Sequence, residues 1–144
     1  MNKINNYSKL IKELPVDEQS TTIKKEVWER INYKEKNKIE KLIFLTSPEV
    51  ELSRIQVKNE KDIKKKIVMI LMWGYPTGGR GNNIQNVLTK LNELEKIFSG
   101  YKNNNLTLDE FINLVDRFNK IPGLGISTWT KFLYFFDIAV NSRK

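Results

Sequence analysis

The chain has 144 residues and a formal net charge of +8 at pH 7, and about 40% of its residues are hydrophobic. This length and apolar content suit one folded domain with a buried core and exclude a wholly disordered chain. The chain contains neither cysteine nor histidine. These absences exclude disulfides, thiolate and imidazole metal sites, and every nucleophile that a histidine activates. We therefore expect no metal and no cofactor.

The positive charge has two interpretations. A lysine-rich surface can serve solubility alone, or it can attract a polyanion, nucleic acid first and anionic membrane second. The beginning "MNKINNYSKL" lacks the apolar region of a secretory signal. No apolar run approaches the ~18 residues that cross a bilayer. We expect a cytoplasmic protein without a membrane partner.

Three helices are predicted before residue 60. In "TTIKKEVWERINY" the apolar residues recur at helical spacing and form one amphipathic stripe: Ile23, Val27, Trp28 and Ile31. A second helix is predicted over residues 37–45. In "TSPEVELSRI" Ser47 can cap a third helix, because Pro48 fits the first helical position.

Helices are also predicted for the remainder of the chain. "EKDIKKKIVMILMW" predicts one helix with Asp62 as its N-cap, and "IQNVLTKLNELEKIFSG" predicts another that Gly100 ends. Thr107 and Glu110 form a capping box before the next helix. "STWTKFLYFFDIAV" is apolar all round and predicts a buried helix. Since no hairpin signature is present, the predicted fold class is all-α: a single compact domain over residues 1–144 with six or seven helices.

The stretch "MILMWGYPTGGRGNN" imitates the spacing of a nucleotide-binding P-loop. A P-loop requires a lysine and then a hydroxyl residue after its last glycine, but Arg80 and Gly81 occupy these positions. The loss of the hydroxyl removes a magnesium ligand, and no set of buried parallel strands is predicted. The P-loop interpretation is therefore rejected.

A loop between two helices remains for "GYPTGGRGNN". It is either an ordinary turn-rich connection or a segment whose glycines let the backbone approach a polyanion. Its length exceeds the typical ~2–8 residues of helix connections, and it carries several hydrogen-bond donors. The predicted DNA-binding residues of this loop are Gly78, Gly79, Arg80, Asn82 and Asn83.

The stretch "NKIPGLGISTWTKFLYF" predicts two helices joined by a tight glycine turn. Such a turn presents backbone N–H groups and a helix N-terminus, which can bind a phosphate. Leu124 is expected to point inward and hold the two helices together. The alternative is a helical hairpin with no ligand. The predicted DNA-binding residues here are Gly123, Leu124, Gly125, Ser127 and Thr128, with Lys131 near them on the second helix.

"KIPGLGISTWTKFLYF" resembles the helix-hairpin-helix of DNA repair glycosylases. Together with "WGYPTGGRGNN" it is similar to bacterial proteins with an 8-oxoguanine DNA glycosylase fold. The resemblance runs from about Asp62 to the end of the chain. It implies an all-α protein that binds duplex DNA through a hairpin at about residues 107–140 and removes an oxidised or modified base.

The resemblance also implies a lysine nucleophile that attacks the sugar C1′, assisted by an aspartate well downstream. Ser127 stands at the common lysine position, so Lys131, one helical turn later, is the catalytic candidate. Trp129 stands where a small residue is usual. Only thirteen residues follow Lys131, which suggests a C-terminally short version without the aspartate. Asp137 is expected to lie roughly 120° around the helix from Lys131.

Chemistry on a base also requires an aromatic ring on which the extruded base can stack. Tyr75 in the glycine-rich loop is the predicted stacking residue, whereas Trp28 and Phe132 are expected in the core. Lys131 is equally compatible with a phosphate contact or a solvated lysine. Three hypotheses therefore remain: a base-excision glycosylase, a non-catalytic DNA-binding or regulatory module, and a helical protein-interaction domain.

Overall fold

A computed structural model describes residues 19–141 of the chain. The elements in chain order are β1 (Ser20–Lys24), α1 (Lys25–Trp28), α2 (Lys36–Phe44), β2 (Glu49–Ser53), α3 (Arg54–Asn59), α4 (Ile63–Gly74), α5 (Asn83–Leu88), α6 (Leu91–Tyr101), β3 (Asn105–Leu106), α7 (Leu108–Asn119), α8 (Ile126–Phe135) and β4 (Ala139–Val140). Helices dominate the described residues and the strands are short, which confirms the all-α class. The single domain over residues 1–144 stays a prediction, because it includes residues outside the described range.

Helix α4 is the centre of the core. Every residue from Lys66 to Met72 is buried, and the helix packs against α3, α6, α8 and strand β1. Asp62 caps it as predicted, since its carboxylate accepts a hydrogen bond from the Lys65 amide at 3.0 Å. The apolar run that imitated a P-loop strand is therefore a buried helix.

The helix predicted over "TTIKKEVWERINY" is wrong at both ends, because only Lys25–Trp28 are helical and Ile31 lies beyond α1. Ser20–Lys24 form strand β1, which pairs antiparallel with β2 and places Ile23 opposite Val50. The β-branched residues Thr21, Thr22 and Ile23 favour a strand. The partner strand lies far away in the sequence, so local helical spacing alone could not reveal the pairing.

The prediction of a helix that begins at Ser47 and Pro48 is also wrong. Glu49–Ser53 form strand β2, and α3 begins only after Ser53. The Ser53 hydroxyl accepts from the Gln56 amide at 3.1 Å, and the Gln56 side chain accepts from the Ser53 amide at 2.8 Å. This reciprocal capping box is a stronger start signal than a lone Ser-Pro pair.

The single helix predicted over "IQNVLTKLNELEKIFSG" is two helices, α5 and α6. At the break, the Thr89 hydroxyl donates to the Asn86 carbonyl at 2.6 Å, and the Lys90 amide donates to the Val87 carbonyl at 3.0 Å. Gly100 lies inside α6 rather than ending it. This split raises the number of helices within residues 19–141 to eight. The Thr107–Glu110 capping box at the beginning of α7 is confirmed.

Three charged residues of the described chain are buried beside the core: Glu40, Arg54 and Lys66. Lys66 donates to the Lys58 carbonyl at 2.7 Å and lies 4.9 Å from the Phe136 ring centroid, and burial lowers the pKa of Lys66. Glu40 accepts a hydrogen bond from the Tyr33 hydroxyl at 2.7 Å. Burial raises the pKa of Glu40 above its usual value, although this hydrogen bond opposes the shift.

The raised pKa of Glu40 predicts how stability depends on pH. The folded state holds the carboxyl proton more tightly than the unfolded state, so the contribution of Glu40 to stability falls as pH rises above the unfolded pKa. Glu40→Gln removes the charge and keeps an acceptor for Tyr33. We expect the variant to be more stable than the wild type at pH 7 by roughly 1 kcal/mol or less. The difference should disappear near the unfolded pKa in urea titrations at several pH values.

Glu35→Gln is the matched control with the opposite sign. A hydrogen bond from Lys64 lowers the pKa of Glu35, so its stabilising effect is present above the unfolded pKa and is lost as pH falls. This variant should lose stability at pH 7. A loss of stability in Glu40→Gln at pH 7 would show instead that the buried carboxylate is stabilising.

Candidate nucleic-acid interface

The glycine loop (residues 75–82) and the hairpin turn (residues 121–125) line one groove. Its volume is about 510 Å³. The two segments are distant in the sequence and meet only in the fold. Its lining consists of Gly74, Tyr75, Pro76, Thr77, Gly79, Arg80, Asn83 and Ile84 from one side and Gly123, Gly125, Ser127 and Thr128 from the other. Most of the predicted DNA-binding residues are therefore brought together.

The glycine loop depends on glycines at two crowded positions. Gly78 and Gly79 have φ angles of 92° and 72°, which residues with a Cβ rarely adopt. A Cβ at Gly78 would lie 2.6 Å from an Arg30 side-chain nitrogen, and one at Gly79 would lie 2.9 Å from Ile84. Arg80 is exposed at the tip of this loop. The glycines therefore shape the loop, and the exposed arginine provides charge.

The hairpin turn packs directly on the beginning of α5. Gly123 has a φ angle of 82°, and a Cβ there would lie 2.5 Å from the Asn83 carbonyl oxygen. Leu124 is buried with only 5% of its surface exposed, in the inward orientation that the sequence predicts. By contrast, a Cβ at Gly125 would meet nothing within 4 Å. Gly123 therefore serves packing, whereas Gly125 keeps the N-terminus of α8 open.

Tyr75 joins the two walls of the groove. Its hydroxyl lies 2.7 Å from the Ser127 hydroxyl and 2.7 Å from the Thr128 hydroxyl, both in the first turn of α8. Partial burial raises the pKa of Tyr75, but these hydrogen bonds and the charge of Lys131 outweigh it and lower the pKa overall. Thr128 is buried and Ser127 is exposed. Thr128 therefore fixes Tyr75, and Ser127 can also face a ligand.

Lys131 extends from α8 across the backbone of Gly74. A Cβ at Gly74 would lie 2.9 Å from the Lys131 Cδ, so the lysine stem packs closely on the glycine backbone. The Lys131 ammonium donates to the Ser127 carbonyl at 3.0 Å and lies 5.1 Å from the Tyr75 ring centroid. A carbonyl oxygen and an aromatic face both stabilise a cation. The Lys131 Nζ is therefore held beside Ser127 and Tyr75, two residues that line the groove.

The helix predicted over "STWTKFLYFFDIAV" ends at Phe135, and Ala139–Val140 form strand β4. The prediction that Asp137 lies on this helix is therefore wrong, since it follows the helix end with a φ angle of 55°. Its carboxylate forms an ion pair with Lys58 at 3.4 Å. Within residues 19–141, no carboxylate lies within salt-bridge distance of the Lys131 ammonium. None of the described carboxylates therefore contacts Lys131 in this arrangement.

The family model described as "Putative 8-oxoguanine DNA glycosylase OGG-like protein" matches residues 14–144. The chain belongs to this OGG-like family. The match includes the glycine loop, the hairpin turn and Lys131, and it extends well before Asp62, where the resemblance seen in the sequence begins. Neither the curated proteins nor the solved structures contained a match. The OGG-like chain is accordingly a DNA glycosylase-like protein.

Burial distinguishes the aromatic side chains that lie in the core from the one that lines the groove. Trp28 and Phe132 are fully buried, as predicted. Trp129 is buried too, and its ring centroid lies 5.9 Å from those of Phe118 and Phe111 on α7. Its large side chain therefore fills the space between α7 and α8. Tyr75 alone among these aromatic residues lines the groove.

Sequence reasoning missed the residues that connect the N-terminal half to this site. The side chain of Gln85 on α5 accepts from the Asn32 amide at 2.7 Å and donates to the Asn32 carbonyl. Arg30 donates to the Thr77 carbonyl at 3.3 Å. No motif marks these residues, because their contacts join segments that only the fold brings together.

Two further findings concern residues 19–141 as a whole. Among residues 19–141, no three acidic side chains are grouped closely enough to hold a metal ion. None of the helices in that range combines the length and hydropathy that a membrane span requires.

The contact between Gly123 and Asn83 predicts unequal effects of two alanine substitutions. Gly123→Ala adds a side chain at positive φ and forces it against backbone, so we expect a loss of about 2–4 kcal/mol in the free energy of unfolding. Gly125→Ala has open space and an ordinary φ, so its change should stay within about 1 kcal/mol. Denaturant unfolding compares the two variants. Equal stabilities would contradict the close backbone contact.

Proposed function

We propose that this OGG-like protein binds duplex DNA across the groove and removes an oxidised or modified base from it. The observation that carries the proposal is the convergence of the glycine loop and the hairpin turn in one groove beside Lys131. Family membership supports it independently. The predicted sites thereby form one surface instead of two separate loops.

The N-terminus of α8 suits a DNA phosphate. Gly125 is the N-cap, and no side chain accepts a hydrogen bond from the first turn. The free N–H groups of a helix N-terminus and its dipole attract an anion. Exposed Ser127 and Arg80 add donors from the two walls of the groove. Such contacts position a duplex without reading its sequence.

The groove also has the size and lining that an extruded base requires. Its volume of about 510 Å³ lies in the range of small-molecule pockets, about 300–1,000 Å³. Tyr75 supplies an aromatic ring, held in place by Ser127 and Thr128. An enzyme that acts on a base must take it out of the helical stack and hold it against such a ring. Tyr75 is the proposed stacking residue.

Lys131 is the proposed nucleophile. In its neutral form the Nζ lone pair attacks the sugar C1′, the C1′–N glycosidic bond breaks, and the base leaves with the bonding electrons and gains a proton. The attached nitrogen then loses a proton, its lone pair forms the C1′=N bond as the C1′–O4′ bond breaks, and O4′ takes up a proton, so the sugar ring opens and a protonated imine joins Nζ to C1′. To react, Lys131 must leave the Ser127 carbonyl and lose a proton. Binding of DNA in the groove would have to drive this change.

A non-catalytic DNA-binding function is the second candidate. The Lys131 Nζ donates to the Ser127 carbonyl and lies over the Tyr75 ring, and both contacts suit a cation that binds a phosphate. Under this alternative the groove and Arg80 still bind the duplex, but no base is removed from it.

The first test is duplex binding as a function of salt. Arg80→Ala removes an exposed cation at the groove, so affinity should fall by about threefold to tenfold and the slope of log K against log salt should decrease by about 0.9. Fluorescence anisotropy measures both. Lys41→Ala is the control, since Lys41 is exposed on α2 and lines no part of the groove. Wild-type binding without salt dependence would contradict a phosphate-binding groove.

The second test is borohydride trapping on a duplex that carries 8-oxoguanine. The wild type should form a covalent crosslink, because borohydride reduces the imine, and Lys131→Ala should lose it while still binding the duplex. Lys41→Ala should retain the crosslink. A crosslink that survives Lys131→Ala would exclude this lysine as the nucleophile. Salt-dependent binding with neither crosslink nor base release would favour the non-catalytic function.

A further inference from the structure

Arg30 lies against the glycine loop although it belongs to the N-terminal half of the chain. It follows α1, and its Nη2 donates to the Thr77 carbonyl at 3.3 Å. A Cβ at Gly78 would lie 2.6 Å from Nη2 and 3.6 Å from Cζ. The guanidinium group therefore packs closely on the backbone of Gly78, whose φ angle of 92° itself favours glycine.

The segment that carries Arg30 is held firmly on the neighbouring elements. Trp28 and Ile31, on either side of it, are buried with 0% and 4% of their surfaces exposed. The Lys36 ammonium donates to the Trp28 carbonyl at 3.0 Å and to the Glu29 carbonyl at 2.8 Å. The paired hydrogen bonds between Asn32 and Gln85 attach the same segment to α5. Arg30 is thus an exposed side chain on a fixed backbone.

Three cations surround the glycine loop without neutralising partners. Arg30 and Arg80 are exposed, and Lys131 is partly exposed. Within residues 19–141, none of the three forms a salt bridge. Arg54 differs, since it is buried, donates to Gln19 at 2.5 Å and lies over the Trp73 ring. Three cations that no described carboxylate neutralises therefore lie around the glycine loop.

We propose that Arg30 is part of the nucleic-acid interface and binds a backbone phosphate of the duplex that occupies the groove. This inference rests on the proposed DNA binding. An arginine presents five N–H donors in a planar fork that matches phosphate oxygens, and Arg30 uses one donor nitrogen on Thr77. The N-terminal half of the chain thereby adds a cation beside the glycine loop, whereas the hairpin turn belongs to the C-terminal half.

The test compares two substitutions that separate charge from structure. Arg30→Gln keeps a donor for the Thr77 carbonyl and removes the charge, whereas Arg30→Lys keeps the charge. In anisotropy titrations between about 50 and 200 mM salt, we expect Arg30→Gln to weaken duplex binding about threefold to tenfold and to reduce the salt slope by about 0.9. Arg30→Lys should retain the wild-type slope. A purely structural role would not change the slope.

Controls distinguish the failure of this inference from the failure of the proposed function. If the wild type does not bind duplex DNA with salt dependence, the proposed function fails. If Arg80→Ala reduces the slope but Arg30→Gln leaves the slope and the affinity unchanged, only the role of Arg30 is overturned. Thermal unfolding of Arg30→Gln checks that the loop remains folded. An acidic peptide serves as a competitor for the cations. If it displaces neither the wild type nor Arg30→Gln from DNA, this result would further support a phosphate as the ligand.

Discussion

The candidate site depends on one backbone contact, in which Gly123 of the hairpin turn meets the Asn83 carbonyl at the beginning of α5. No side chain fits between them, so the two backbones approach as closely as sterics permit. This approach sets the hairpin turn beside the glycine loop and creates the groove. The Tyr75 hydroxyl then spans the groove to Ser127 and Thr128. The glycines therefore determine how closely the backbones pack, and they affect ligand binding only through the groove that results.

The same packing places Lys131 where its two proposed roles require different protonation states. Its stem crosses Gly74, and its ammonium is stabilised by the Ser127 carbonyl and the Tyr75 ring. A nucleophilic lysine must be neutral, whereas a phosphate-binding lysine must be charged. Arg80 and Arg30 could bind phosphate in either case, because arginine keeps its charge. The proposed DNA binding thus involves several residues, whereas the proposed catalysis would depend on Lys131 alone.

Local signals predicted the structure well where one segment determines its own conformation. Asp62 and the Thr107–Glu110 pair begin helices because their caps satisfy amides a few residues away. Strands β1 and β2 were not predicted, because they stabilise each other across a long sequence separation. Ile23, which pairs with Val50, is an example. The break between α5 and α6 was not predicted, because the apolar spacing continues through it. Thr89 and Lys90 end α5 through hydrogen bonds to nearby backbone carbonyls.

The sequence by itself determined the all-α class, the basic charge, the rejection of a P-loop and the two glycine-rich segments that matter. These properties depend on residue types and short spacings, which can be read without a partner. Only the tertiary structure decided that the two segments share one groove, that Thr128 is buried, and that Arg30 belongs beside Gly78. Each of these results depends on distances between residues that are remote along the chain. Such distances follow from how the helices pack, and a linear pattern does not contain them.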